Sequence, residues 1–530
     1  MNSNPIFTIK LLVVNVLLLT ITSACNERIG NVKKEDTKVQ IFPDYDGIVI
    51  PFNIAPLNFY IKEKAEKYHV EISSIEGKPI VIQQTTPEIS IPVNKWKKLL
   101  NKNKGNKLNI NVFLKKSQQW YQYQAFTDSI ASDSLNPYLV YRLINTQYAY
   151  SKDMRLAQRN LENFDEYTIW ENTSTKDGCF NCHSFSNYNP EKMSLHLRQY
   201  YSGTIILDGK TLKKLNTKTP YTMSAFGYAA SNPDGELMAY SVNIFNEYFT
   251  NSTQNLNEVT DQASDLVVYN IKTNTVTTSP KISTKNRENF PSWSPDGKWL
   301  YYVSAGEAFD DFDSRFYSMY SLCKISYDKV SNTWGEVDTV FNALQEGKSI
   351  TFPRISPDGK YLLFCLINYG YFSINHRESD LYLMDLSTGE YAKLDINSEM
   401  NDSYHSWSKN GRWIVFSSKR FNDLYTAPYF SYFDNNGKFH KPFLLPQKDP
   451  HFYDAYLLNF NIPEFVDGKV DLDPLKIRNV LYDKGIDVIF DSTVNTDALS
   501  GATWIKKHSG QSPNPENQYH TTGQPEPAKK

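Results

Sequence analysis

Along most of the chain, apolar residues come in short alternating runs instead of helical stripes. Between residues 41 and 136 these runs include "GIVIPFNI", "LNFYI", "YHVEISS", "PIVIQQ", "KLNINVFLK" and "WYQYQAF", parted by turn-rich stretches such as "IEGKP" and "NKNKGNK". A period of two predicts strands with one buried face, and short strands at this spacing predict a small β-sandwich. Residues 137–199 read as a connecting segment, with a short helix around Met154 to Leu161 and a strand at "EYTIW".

From residue 200 the alternation acquires a repeat. "SNPDGELMAYSVN" from Ser231, "SWSPDGKWLYYVS" from Ser292, "RISPDGKYLLFCL" from Arg354 and "SWSKNGRWIVFSS" from Ser406 each place a tight turn before an aromatic-rich strand. Pro295 and Pro357 preset φ at the turn, Asp296 and Asp358 can bond the backbone beyond it, and Gly297, Gly359 and Gly411 supply the positive φ that closes it. Second halves follow at "DLVVYNIKTNTVTT" (from Asp265) and "DLYLMDLSTGEYAKL" (from Asp380), and "GTIILDGKTLKKL" (from Gly203) reads as another. The unit is then four strands in about fifty to sixty residues, a propeller blade. The expected fold is all-β: a propeller of five to six blades over residues 200–446, behind the sandwich. The sixth blade would come partly from residues before 200 or after 446. Residues 447–508 read as a C-terminal packing segment. The Pro/Gln/His/Lys-rich residues 509–530 read as a disordered tail.

The 530 residues carry 56 Lys+Arg against 58 Asp+Glu, with no basic stripe, so nucleic-acid binding has no electrostatic footprint. The N-terminus changes the picture. Lys10 precedes an apolar run from Leu11 to Ile21 that ends in Thr-Ser-Ala-Cys at Cys25. A short apolar run followed by small residues predicts a signal peptide over 1–24, too short for a membrane span. The end of this run resembles a lipobox. That resemblance implies acylation of Cys25, membrane lipid as its partner, and a tether over 25–40. Asn26 follows the Cys, so no inner-membrane retention signal is visible, and the expected location is the outer membrane.

Only four further cysteines occur. Cys323 and Cys365 lie in apolar strand-like runs and read as buried thiols. Cys179, Cys182 and His183 in "GCFNCHSF" have the C-x-x-C-H spacing of c-type haem attachment. Two thiols three residues apart can reach the two vinyl groups on one porphyrin edge, and the adjacent His can serve as proximal ligand. A zinc site would want a second ligand pair, and the chain has no second Cys pair. A redox C-x-x-C would want a βαβ setting, and a plain disulfide stays open. For the distal position, "EKMSLHLRQYYSGT" read as a strand puts Met193 on an apolar face and His196 with Arg198 on the other. His196 is the favoured ligand, with Met193 and Met223 as alternatives. Arg198 is the expected propionate contact. His376, Glu378 and Asp380 alternate along another strand and read as a solvated face or a cation site. His405 reads as a turn anchor.

The SPDG repeats, with "GCFNCHSF", "MSLHLR", "SYHSWSKNGRWIVFSSKR" and "KPFLLPQKDPHFYDAY", resemble TolB-like propeller lipoproteins that carry a cytochrome c motif. The resemblance implies the propeller and one haem c, without a defined reaction. Two functions follow as expectations: electron transfer with a redox partner, or a propeller docking an envelope protein or glycan, with the haem structural or sensory. No G-x-S-x-G motif supports a hydrolase.

Overall fold

The computed structural model describes residues 29–146, 152–175, 178–198, 201–222, 224–249, 257–307 and 312–499. The signal segment, Cys25, Met223 and the tail from 509 lie outside them.

Six four-stranded antiparallel units stand in a ring. In chain order the innermost strands of the second to sixth blades are Phe180–Phe185, Phe226–Ser231, Arg287–Trp293, Ser349–Ile355 and Asp402–Trp407. Each inner strand neighbours the next around a closed circle. The first blade is assembled from both ends of the repeat region. Its outer strands, Tyr138–Ile144, Arg155–Asn160 and Glu166–Glu171, precede the C-x-x-C-H motif, while its inner strand, Asn459–Val466, comes from beyond the last repeat. This is the sixth blade the sequence implied, drawn from both places at once. The segment 137–199 therefore does not merely connect. The helix expected at Met154 to Leu161 is a strand, because residues 155–160 pair on both edges and sit at the centre of the sheet. The C-terminal segment likewise does more than pack: Ile486–Asp487 and Ile489–Phe490 extend the second and third blades in parallel.

The repeat turns form as their sequence dictates. Gly297, Gly359 and Gly411 have φ of 71°, 74° and 67°. In the fourth blade the Gly297 N–H donates to the Ser294 carbonyl at 2.8 Å, and the Ser294 hydroxyl bonds Asp296 at 2.5 Å.

The N-terminal region is a seven-stranded sheet facing a three-stranded one, Ile41–Phe42, Phe59–Ile61 and Glu88–Ile89. A helix at Val93–Lys102 covers its core with Trp96, Leu99 and Leu100. One continuous apolar core runs from this sandwich into the sixth blade through Trp413, Phe430 and Phe443. The sandwich is thus fused to the propeller. Tyr45 reaches the Leu444 carbonyl at 3.3 Å, and Arg159 of the first blade holds the Pro446 carbonyl at 2.9 Å.

Candidate functional site in the propeller channel

Every inner strand carries one bulge, and at each bulge one side-chain-bearing residue adopts positive φ: Cys182, Tyr228, Phe290, Phe352, Tyr404 and Ile462, between 44° and 55°. Such a conformation is rare for aromatic residues and an outlier for a β-branched one. Six copies around one axis form a collar across the channel. The rings of Tyr228, Phe290, Phe352 and Tyr404 pack in succession, with centroids 4.4, 5.6 and 4.8 Å apart. The collar separates two vestibules.

The motif takes its place in this ring. Cys182-His183-Ser184-Phe185-Ser186 occupies the position of Phe290-Pro291-Ser292-Trp293-Ser294 and of Tyr404-His405-Ser406-Trp407-Ser408. "CHSFS" is a copy of the repeat, and its likeness to "YHSWS" was the signal that could have placed it on an inner strand.

Cys179 and Cys182 open on the first vestibule, a cavity of about 90 Å³. Both thiols are buried and outside any disulfide, the Cys179 thiol donating to the Phe180 carbonyl at 3.9 Å, and burial raises the pKa of each. Arg142 and Arg198 stand in the same wall, with Tyr228, Phe245, Glu247 and Tyr404. Arg142 bonds the Phe180 carbonyl at 3.0 Å and joins the first blade to the second. The Arg198 N–H donates to the Cys179 carbonyl at 2.9 Å, and its guanidinium stacks 4.5 Å over Phe245. Arg142, Glu247 and, apart from Cys182, the collar residues were not singled out from sequence. Their neighbours in space come from other blades, which no local pattern reports.

His183 lies across the bulge from the thiols, since successive strand residues face apart. It lines the second vestibule, a cavity of about 380 Å³ whose wall also holds Arg354, Glu464, Trp293 and Trp407. Its Nε2 is buried without a hydrogen-bond partner. Burial, then the charge of Arg142, brings its pKa down to about 3 and keeps it neutral. His196 sits opposite Asn181 on the neighbouring strand, outside the walls of both vestibules. It too is held neutral, near 3, by burial and then by Arg198, and its Nδ1 has no partner. Met193 is packed in the apolar core with Phe180 and Leu195.

His376 is neither solvated nor part of a three-ligand cluster. It is fully buried, with Nε2 2.7 Å from Glu258 and Nδ1 3.1 Å from Glu378, whereas Asp380 pairs with Lys393. Burial opposes its protonation, but the two carboxylates outweigh it and raise its pKa to about 9. His405 is buried against the Leu363 carbonyl at 2.9 Å. No group of three or more metal-ligating side chains occurs among the described residues.

Whether these residues suit a haem has two answers. The donor set does: two free thiols share a wall with two guanidiniums, and an imidazole nitrogen nearby lacks a partner. The space in this conformation does not. A cavity of about 150 Å³ accepts a benzene, so 90 Å³ holds only water, and His183 faces the other vestibule.

No family profile matches the chain. An uncharacterised protein of Agrobacterium fabrum is 26% identical over 189 residues, 30% of this chain and 59% of that protein. The chain thus spans less than two thirds of the curated relative it matches. Among solved structures, one described as TolB from Agrobacterium tumefaciens is 16% identical, covering 62% of this chain and 99% of that one at a TM-score of 0.35. Kuenenia stuttgartiensis hydrazine synthase is 13% identical, with coverage of 50% and 65% and a TM-score of 0.28. The Dos1 propeller is 13% identical, with coverage of 42% and 62% and a TM-score of 0.25. Likenesses this distant bear on no residue of the site, and the propeller rests on the closed ring of sheets itself.

Proposed function

We propose that the protein is a monohaem cytochrome built on a propeller, with one haem c joined to Cys179 and Cys182. One observation carries this reading: two buried thiols in C-x-x-C-H spacing, neither in a disulfide, open on one cavity beside Arg142 and Arg198. In attachment each S–H adds across a vinyl group, so no atom is lost and no oxidant is consumed. Once bound, the haem supplies reversible one-electron exchange at iron. Arg142 and Arg198 would meet its carboxylates, and the collar parts their vestibule from the far one. His183 and His196, both held neutral by burial, are the imidazoles that would ligate the iron, but neither opens on the thiol vestibule, so ligation would need the inner strands to rearrange. With the vestibule closed as it is, binding requires its walls to part.

The test is a haem-stained denaturing gel and a pyridine haemochrome spectrum of protein made with a working attachment system. A stained band that vanishes in Cys182→Ser is expected. A colourless wild-type protein would overturn the reading.

The setting proposed for this cytochrome is the outer membrane, held by lipid on Cys25. Cys25→Ala should move the protein to the soluble periplasmic fraction. Identical fractionation of wild type and variant counts against the anchor. A second reading, a propeller that binds a partner or glycan, is favoured by the wide second vestibule.

A further inference from the structure

The second vestibule lies on the face of the ring that carries the repeat turns, and Pro233, Pro295 and Pro357 stand at its rim. It has features that packing alone does not demand. Its volume of about 380 Å³ falls within the range of small-molecule pockets, about 300–1,000 Å³. Ser184, Ser231, Ser292 and Ser406, from four blades, line it, the Ser231 hydroxyl donating to the Asn232 carbonyl at 3.0 Å. The indole N–H of Trp293, a residue 7% exposed, is buried without a partner.

The charge inventory narrows the occupant. Arg354 is the one arginine or lysine among the described residues of the wall. Its guanidinium stacks 4.1 Å over the Phe352 ring and donates to its neighbour's carbonyl, Pro353, at 3.0 Å. It forms no ion pair with a carboxylate of the described residues. Glu464, the only acid in the wall, spends one oxygen on the Phe185 N–H at 3.0 Å. One guanidinium suits a single negative charge, not a phosphate dianion. A carboxylate of the wall and a circle of serines suit a body rich in hydroxyls, and the prolines and tryptophan edges suit the C–H face of a sugar ring.

We infer that this vestibule is a binding site for a sugar acid, its carboxylate held by Arg354 and its hydroxyls by the serines and Glu464. The site lies on the other side of the collar from the two thiols and shares only the wall residue His183 with the haem proposal, and its test uses haem-free protein, so either can fail alone.

The test is isothermal titration of the full-length, haem-free protein with D-glucuronate, its methyl ester and D-glucose. Glucuronate should bind saturably, and the two neutral sugars at least tenfold more weakly. Arg354→Gln, checked for an unchanged far-UV spectrum, should weaken glucuronate by tenfold or more and bring it level with the ester. If that variant does not fold, the comparison of acid with ester decides alone. No saturable heat with glucuronate up to ~10 mM, where a ligand worth about 4 kcal/mol would register, overturns the inference. So does equal binding of acid and ester.

Discussion

At the scale of single residues, the turn glycines and the collar residues share a backbone region but answer to different constraints. Gly359 has φ of 74°, and the nearest atom to a built Cβ is Pro295 at 4.0 Å. There is room for a side chain, but the conformation is wrong for one. Gly359→Val should therefore cost about 1–3 kcal/mol from backbone strain alone, read by chemical denaturation, with Lys360→Val as the exposed control. The collar residues pay that strain and keep their side chains, since a glycine there would open the channel. His196 gives a second residue-level prediction. If it is an axial ligand of the attached haem, His196→Ala should convert a low-spin spectrum to high-spin and admit carbon monoxide. Carbon monoxide binding by the wild type would remove it from the iron.

At the scale of elements, the hairpin of the third blade stands out. Its strands, Leu237–Phe249 and Asn257–Asn270, are the longest described, and they carry Phe245, Glu247 and Val259 into the wall of the thiol vestibule. Glu258 latches this hairpin to His376 of the fifth blade. The His376 pKa is raised above its unfolded value near 6.5, so the latch contributes fully below that pH and is lost as pH rises through about 9. In haem-free protein, labelling of Cys179 and Cys182 by a maleimide should accelerate above pH 9 beyond the ordinary rise in thiolate. Glu258→Gln should show the faster labelling already at neutral pH and lose about 1–3 kcal/mol of stability. Labelling that follows thiolate formation alone would separate the latch from the vestibule.

Legibility in the sequence follows the same scale. The SPDG turns announce four blades because each is built from adjacent residues with fixed backbone needs. The helix at Val93–Lys102 was passed over inside a region read as strands and turns, although the i, i+3, i+4 spacing of Trp96, Leu99 and Leu100 carries it. The strand at Arg155–Asn160 was not readable, because partners on both edges overrule residues of good helix propensity. The collar left no compositional trace, as Cys, Tyr, Phe and Ile share no preference for positive φ. The C-x-x-C-H spacing named a chemistry but could not reveal that a bulge turns its His away from its thiols.

At the scale of the molecule, the ring depends on a strand far from its partners in sequence. Asn459–Val466 pairs with Tyr138–Ile144 and fills the gap between the second and sixth blades. Truncation after residue 458 should abolish cooperative unfolding. Truncation after 483, which spares the ring and removes two edge strands, should leave a single transition at reduced stability. Two similar melts would refute the closing role of that strand.

The same closure sets an order of events. A chain made from its N-terminus delivers Cys179 and Cys182 some 280 residues before Asn459–Val466 arrives. Until then the inner edge of the second blade lacks one neighbour, and its thiols stand at an open rim. Once the last strand inserts, they lie behind a wall that admits only water. A group larger than water meets these thiols unobstructed only during that interval; after closure the wall must part first, so the time between their emergence and ring closure sets how many molecules leave synthesis already carrying it.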